Sequence, residues 1–231
     1  MDIYKNLKSF IRHVIAEGLH DKYNNKLILF FGPPGAGKST FIKTLKSYGL
    51  KHSTPDDILE YLIDKNFVKK GKAADVNDAF KKYPEDIFSS DGIRGQSLNK
   101  ATKRINMWKS LPLGIVMEGT GGAPSWYEEN IIIPFQEIEY EIMIVMLYKD
   151  LQTCIDRNVL RGKEGGRNLP PDLVTSLFNG FINNYNAFKS LASKTNIEFI
   201  TISDDHPDQL STSSYFDREQ GLKEIKRFLE K

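Results

Sequence analysis

Apolar residues along this chain form short runs, separated by longer segments in which they recur every three or four positions. The runs occupy residues 27–31, 113–118, 140–147 and 197–202, and a further short strand is predicted near 50–53. Runs of this length predict buried β-strands, and the segments between them predict amphipathic α-helices. Strands that alternate with helices favour an α/β fold, in which a five-stranded parallel sheet carries helices on both faces.

Two segments stand apart from this alternation. Residues 3–15 carry an apolar stripe at helical spacing, and a polar, turn-rich stretch follows them. This pattern predicts an N-terminal amphipathic helix and linker over residues 1–25. One α/β domain is then predicted over residues 26–231. Residues 65–110 are rich in Lys, Asp and Asn without a strand pattern, and predict a helical insertion beside the substrate site. Further helices are predicted near residues 38–48, 125–137, 151–160, 170–191 and 216–231.

The segment after the first strand reads GPPGAGKST and matches the phosphate-binding P-loop pattern. Its glycines let the chain wrap closely around a phosphate, and its N–H groups point inward at the start of a helix, where the dipole favours anions. Lys38 is expected to reach the β/γ-phosphates and Ser39 to hold Mg²⁺, which predicts ATP and Mg²⁺ as ligands. The predicted nucleotide-binding residues are Gly32, Pro33, Gly35, Ala36, Gly37, Lys38, Ser39 and Thr40.

Polar residues follow two other predicted strands. Asp56 and Asp57 come after residues 50–53, and Glu118 and Thr120 come at the end of residues 113–118. Ligands of parallel α/β folds bind beyond the carboxyl ends of the strands. One of the two aspartates can accept or align the proton of a substrate hydroxyl. Glu118 is a candidate for Mg²⁺ through water, or for substrate together with Thr120. The alternatives are first-turn acids that serve a helix dipole and an acid that organises the turn after a strand.

Three arginines near residue 160 could stabilise a transferring phosphoryl group, because the guanidinium fork matches phosphate oxygens. Arg157 and Arg161 are four positions apart and share one helix face. Arg167 lies on a Gly-rich stretch, so residues 161–170 are predicted to close over the nucleotide as a lid. The alternative is a solvated basic helix end with a mobile loop.

Composition argues against several classes of protein. The formal net charge of +2 over 231 residues indicates no strong overall field, and a single cysteine, Cys154, excludes an internal disulfide framework. The four histidines are scattered without zinc-ligand spacing. No apolar run approaches the roughly 20 residues of a membrane span, and the start lacks the apolar region of a secretory signal. We therefore expect no membrane partner and a cytoplasmic location.

Trp108 lies among basic residues of the predicted insertion, with Lys103, Arg104 and Lys109 close by. Aromatic and basic side chains together can hold single-stranded nucleic acid. The other interpretation is a solvated helix face on which Trp108 anchors the core, and both interpretations stay open at this point.

The chain resembles P-loop kinases of the group around zeta toxins and bacteriophage polynucleotide 5′-kinase, over roughly residues 26–202. GPPGAGKST at 32–40 fits both families, and the resemblance implies Asp56 as the general base. The arginine pair at 157 and 161 is similar to lid arginines of the polynucleotide kinase. The segment from Gly165 to Pro170, with Arg167, resembles a lid of zeta-like kinases, and Glu118-Gly119-Thr120 resembles the substrate-binding pair of zeta toxins. Leu59 stands where both families usually carry an arginine, which puts 5′-end specificity in doubt. The resemblance implies five parallel strands in the order 2-3-1-4-5.

A second resemblance concerns residues 7–18, which look like the capsid-targeting leaders of internal proteins in some tailed phages. Cleavage after Glu17 would then release the domain inside a virion. The alternative is an uncleaved amphipathic helix docked on the domain.

These residues together predict an ATP-dependent kinase that transfers the γ-phosphate to a hydroxyl of a nucleotide-like substrate. The acceptor classes are a nucleotide sugar, a polynucleotide end and a hydroxylated base in DNA. The alternative is a nucleotide-switched ATPase that acts through a partner, including a phage internal protein, although a switch needs neither the acid after the second strand nor three lid arginines. A toxin that a separate antitoxin neutralises is compatible with the kinase hypothesis.

Overall fold

The computed structural model describes residues 22–89, 91–205, 210 and 214–231. Most of the predicted N-terminal helix and linker, and all of the leader-like residues 7–18, lie outside the described residues.

A parallel sheet of five strands forms the centre of the molecule. The strands are β1 (Lys26–Phe31), β2 (Lys51–His52), β3 (Ile115–Gly119), β4 (Glu141–Leu147) and β5 (Glu198–Ile202). Their order is β2-β3-β1-β4-β5 and every pairing is parallel, which confirms the predicted fold class and strand order. All six residues of β1 are buried, because a central parallel strand is covered on both faces.

Helices occupy most of the sequence between the strands. In chain order they are α1 (Lys38–Ser47), α2 (Pro55–Ile63), α3 (Val76–Lys82), α4 (Pro84–Phe88), α5 (Ile93–Lys109), α6 (Pro124–Tyr127), α7 (Ile133–Gln136), α8 (Leu151–Lys163), α9 (Pro171–Lys194) and α10 (Arg218–Leu229). The long helix α9 buries a row of aromatic residues in the main core, namely Phe178, Phe181, Tyr185 and Phe188. No helix among the described residues combines the length and the apolar character needed to cross a membrane.

A second, smaller core lies in the helices that follow β2. It joins residues of α2 and of the segments up to α5, among them Leu59, Phe67 and Ile87. Trp108, near the end of α5, instead packs against the main core around the sheet. Helix α2 and the segments up to α5 therefore share an apolar centre of their own.

Several helices differ from the sequence-based expectation in their bounds or their continuity. The helix predicted over residues 125–137 is divided into α6, a π-helical turn (Glu128–Ile132) and α7. Pro134 has no N–H, so an uninterrupted α-helix cannot continue its hydrogen-bond ladder through this position. Helix α8 extends to Lys163, beyond the predicted end at residue 160, and carries Arg161 and Lys163 in its last turn. Basic side chains are favoured at that end by the helix dipole.

Candidate active site

The P-loop connects the carboxyl end of β1 to the start of α1. Its glycines adopt the backbone that the motif requires, with φ of +83° at Gly35 and +99° at Gly37. Gly35 lies directly against the backbone of Cys154 in α8, since a methyl group on Gly35 would approach the Cys154 Cα to 2.9 Å. The hydroxyl-bearing residues Ser39 and Thr40 are exposed in the first turn of α1. The loop is therefore shaped by its packing against α8 as well as by its own glycines.

The Lys38 side chain is held inside the loop. Its Nζ donates to the carbonyl oxygens of Gly32 at 2.6 Å and Pro33 at 3.2 Å. Burial lowers the pKa of Lys38, and the negative charge of Glu118 opposes this effect. Two carbonyl oxygens thus position this ammonium group on the inner side of the loop, beside the strand ends.

Asp56 lies in the first turn of α2, where Thr54 caps the helix by accepting a hydrogen bond from the Asp56 N–H at 3.1 Å. Arg167 binds both carboxylate oxygens of Asp56, through Nη1 at 3.1 Å and Nη2 at 2.6 Å. Burial alone would raise the pKa of Asp56, but the hydrogen bonds and charge of Arg167 outweigh burial and hold this pKa below its usual value. The charge of Lys38 acts in the same direction, so the P-loop and Asp56 share one electrostatic environment.

Glu118 is placed at the end of β3 and contacts a residue that the sequence analysis did not identify. His52 Nε2 lies 3.2 Å from Glu118 Oε1, and the His52 side chain is only 5% exposed. A carboxylate only accepts hydrogen bonds, so the imidazole N–H is the donor in this contact. Burial, with the Glu118 charge, raises the pKa of Tyr127 to about 12, so its hydroxyl stays protonated beside this carboxylate. The clue to His52 was its position immediately before the Ser53–Thr54 segment that leads into α2.

Two further predicted substrate residues lie at the same strand ends. Asp57 is exposed as a residue, but its carboxyl group is partly buried, and this partial burial raises its pKa. His52 opposes the increase, and the negative charge of Glu118 adds to it. Thr120 is partly buried directly after β3. The fold thus brings Asp57, Glu118 and Thr120 to one edge of the sheet, next to Asp56.

The three predicted arginines reach different parts of this edge. Arg157 Nη1 donates to the Gly35 carbonyl at 3.3 Å and so contacts the P-loop. Arg161 Nη2 donates to Glu60 Oε1 at 2.7 Å, so it contacts α2, the helix that Arg167 also reaches through Asp56. The shared helix face of Arg157 and Arg161 therefore bridges the two sides of the site.

The segment predicted as a lid is tied to the helical region in this conformation. Asn77 donates to the Gly166 carbonyl at 2.8 Å and accepts from the Asn168 N–H at 3.0 Å. Asn158, a buried residue of α8, also donates to Asn168 Oδ1 at 2.9 Å and accepts from the Leu169 N–H at 3.1 Å. These bonds hold the segment around Arg167 in the position from which Arg167 binds Asp56.

The oxygen donors at this edge suit a Mg²⁺ ion. Ser39 offers a hydroxyl at the start of α1, and Glu118 offers a carboxylate at the end of the neighbouring strand β3. Mg²⁺ is usually bound by one or two protein oxygens together with water and substrate phosphates, so a closed set of protein ligands is not required. The described residues contain no group of three or more His, Cys, Asp or Glu side chains arranged to hold a metal.

Two arginines at the site were not identified from the sequence. Arg94, exposed near the start of α5, lies close enough for its charge to lower the pKa of Asp56. Arg218, the first residue of α10, lies beside Gly37 of the P-loop. Neither belongs to a motif, and both lie far from the site in the sequence, so only the packing of α5 and α10 reveals them.

Comparisons with known proteins show which solved structures have a similar fold. No family model matches this sequence, and no curated protein matches it. Among solved structures, one from the PezAT chromosomal toxin–antitoxin system of Streptococcus pneumoniae has a TM-score of 0.57 at 16% identity, covering 100% of this chain and 95% of that chain. The AvrRxo1-ORF1:AvrRxo1-ORF2 complex matches with a TM-score of 0.56 at 13% identity, covering 84% of this chain and 62% of that chain.

The Pnkp1/Rnl/Hen1 RNA repair complex matches with a TM-score of 0.52 at 12% identity over 72% of this chain. This chain spans about half of the length of that protein, 47% of it. At such identities the similarity establishes the fold alone. Together with the sheet order and the P-loop after β1, it shows an α/β fold of the P-loop kinase type.

Proposed function

We propose that this protein is an ATP-dependent kinase that transfers the γ-phosphate to a hydroxyl of a nucleotide-like substrate. One observation carries the proposal. A carboxylate that an arginine keeps ionised, Asp56, shares an electrostatic environment with the P-loop ammonium group of Lys38. Phosphoryl transfer needs an anion-binding loop on one side and a group that orients a hydroxyl on the other. The ion pair of Asp56 with Arg167 lies at the carboxyl edge of the sheet, where ligands of parallel α/β folds bind.

Each residue at this edge has a role in such a transfer. The hydroxyl of the acceptor would donate its proton to an Asp56 oxygen as its own oxygen attacks the γ-phosphorus, and ADP would leave. Because the pKa of Asp56 is held low, the proton would move late, and alignment of the hydroxyl would be the larger contribution. Lys38 and Arg157 would stabilise the charge on the phosphoryl oxygens.

Mg²⁺ is the metal that this donor set favours. Ser39 would bind it directly, and Glu118 would bind it directly or through water, with His52 holding the carboxylate in place. When bound, Mg²⁺ supplies charge neutralisation on the β- and γ-phosphate oxygens.

The acceptor would lie between α2 and the end of β3, where Asp57, Glu118 and Thr120 are found. Arg94 and Arg167 place guanidinium groups beside the carboxylates on this side of the site, and a guanidinium group can bind an acceptor that carries phosphate. A nucleotide sugar, a polynucleotide end and a hydroxylated DNA base all fit that description. One of the similar structures comes from an RNA repair complex, so RNA ends belong among the acceptors to be tested.

The test is transfer of label from γ-labelled ATP to a panel of acceptors. The panel contains UDP-sugars, 5′-hydroxyl DNA and RNA, mononucleosides, and duplex DNA with hydroxymethyl-pyrimidines. Transfer to one acceptor is expected, and Asp56→Asn should lower it by about 100-fold or more while ATP affinity changes little. Asp64→Asn is the matched control, because Asp64 follows the same helix and pairs only with Lys69 among its described contacts, at 2.7 Å.

Two outcomes would contradict the proposal. Undiminished transfer by Asp56→Asn would remove Asp56 from the role of base. Release of label only as free phosphate, with every acceptor ignored, would favour the alternative of a nucleotide-switched ATPase that acts through a partner.

An antitoxin is the partner class that the comparisons support, since one similar structure comes from a toxin–antitoxin system. If this chain acts as such a toxin, its expression in a bacterial host should arrest growth, and Asp56→Asn should not. The phage-packaging hypothesis rests on residues outside the described part of the chain and stays a prediction.

A further inference from the structure

The start of α10 is anchored next to the P-loop by the chain that follows β5. The Phe216 N–H donates to the Thr201 carbonyl at 2.9 Å, and the Ser203 N–H donates to the Phe216 carbonyl at 2.8 Å. These two bonds extend the edge of the sheet by one bridge, between Ile202 and Phe216. Arg218 therefore begins its helix at the carboxyl edge of the sheet, close to the P-loop.

The Arg218 side chain is oriented by two contacts. Its guanidinium carbon lies 4.9 Å from the centre of the Phe41 ring, and Phe41 is a buried residue of α1. Its Nε lies 3.6 Å from Asp204 Oδ2, a partly exposed ion pair at the end of β5. The terminal Nη2 remains directed toward the P-loop, since a methyl group on Gly37 would lie 3.4 Å from it.

Arg157 reaches the same position from α8. The methyl group on Gly37 would also lie 3.6 Å from its Nη1, so the two guanidinium groups approach one glycine from two helices. The described contacts of Arg157 Nη1 are with a neutral carbonyl, that of Gly35. Two positive groups that converge on a loop with inward-pointing N–H groups form a site for an anion.

We propose that Arg218 is a second guanidinium ligand of the nucleotide polyphosphate and acts together with Arg157, where both groups approach Gly37 of the P-loop. This inference rests on the proposed nucleotide binding and adds a residue to it. Phe41 holds the flat guanidinium group by stacking, so little side-chain freedom is lost when a phosphate binds. The start of α10 thereby becomes part of the nucleotide site.

The test measures equilibrium binding of ATP and of tripolyphosphate, which carries the phosphates without the nucleoside. Arg218→Ala is expected to weaken both ligands by about tenfold, because one charge-assisted hydrogen bond is lost. Arg218→Lys keeps the stem and the charge but not the planar fork, so an intermediate loss is expected. Arg227→Ala is the control, since Arg227 lies in the last turn of α10 and pairs with Glu198 and Glu224; both affinities should stay within about twofold.

Three results would overturn the inference. Unchanged affinity for both ligands in Arg218→Ala would make Arg218 a packing residue for Phe41. Weaker ATP binding with unchanged tripolyphosphate binding would move its contact to the nucleoside. Equal losses in Arg218→Ala and Arg227→Ala, with matching falls in melting temperature, would attribute the effect to the stability of α10.

The failure of this inference and the failure of the proposed kinase activity can be told apart. Binding is measured without an acceptor, so a protein that phosphorylates no acceptor can still show the tenfold loss in Arg218→Ala. Conversely, transfer lost in Asp56→Asn with normal ATP binding in Arg218→Ala would support the kinase activity and refute the role of Arg218. Lys38→Ala checks that the ligand occupies the P-loop in both experiments.

Discussion

Gly35→Ala should disrupt the P-loop far more than a change of one methyl group would suggest. Gly35 has a positive φ of +83° and lies against the backbone of Cys154 in α8. The added Cβ would come within 2.9 Å of the Cys154 Cα and 3.0 Å of its carbonyl carbon. Backbone atoms cannot rotate away as the end of a flexible side chain can, so the loop or α8 has to move.

The cost can be estimated from these two effects. A left-handed backbone costs a residue with a side chain about 1–2 kcal/mol, and overpacking of a tight contact costs about 1–3 kcal/mol. Alanine also restricts the unfolded chain, which returns about 0.4–1 kcal/mol. The expected destabilisation is about 3 kcal/mol, or roughly 6–12 °C in melting temperature for a chain of this length.

Gly49→Ala separates the two effects. Gly49 has a similar positive φ of +105°, but a Cβ added there would meet no atom of a more distant residue within 4 Å. Only the backbone strain applies at this position, so we expect a loss of about 1 kcal/mol and roughly 2–4 °C. Both variants are measured by thermal unfolding and by equilibrium binding of ATP.

Binding should distinguish the variants further. Displacement of the loop removes at least one N–H contact with phosphate, which corresponds to a loss of about 10- to 100-fold in ATP affinity for Gly35→Ala. Gly49→Ala should bind ATP normally. The reasoning is wrong if Gly35→Ala is no less stable than Gly49→Ala, or if it binds ATP as the unsubstituted protein does.

Two further predictions concern ionisable groups. Arg167→Gln removes the charge that outweighs burial at Asp56, so the pKa of Asp56 should rise. The acid limb of the pH profile of transfer activity should then move to higher pH. A profile over about pH 5 to 8 that is the same as that of the unsubstituted protein would contradict this prediction. Burial raises the pKa of Cys154 to about 12 and its side chain is fully buried, so a thiol reagent should modify the native protein only at the rate of unfolding. The denatured chain is the control, and rapid modification of the native protein would contradict the burial of the Cys154 thiol.

The local parts of the site followed from the sequence, because each depends on residues close together along the chain. The apolar run before GPPGAGKST, the loop and the helix after it form one continuous unit, β1 to α1. The same holds for Asp56 in the first turn of α2 and for Glu118 at the end of β3. Strand ends of a parallel sheet meet at one edge, so these residues could be placed together before any contact was known.

Tertiary structure decided how these residues are paired. Arg167 and Asp56 are 111 positions apart, and His52 and Glu118 are 66 apart, so no local pattern encodes either contact. They depend on the register of β2 against β3 and on the docking of α8 against α2.

The docking of helices also explains why the three predicted arginines contact different parts of the site and why Arg218 lies beside the P-loop. The sequence by itself determined which chemistry the strand ends carry, because hydrophobic periodicity and turn residues act over a few positions. The packing of helices on the sheet selected which guanidinium group meets the P-loop and which meets Asp56. That choice is made by shape and burial across the whole domain, which a local pattern does not contain.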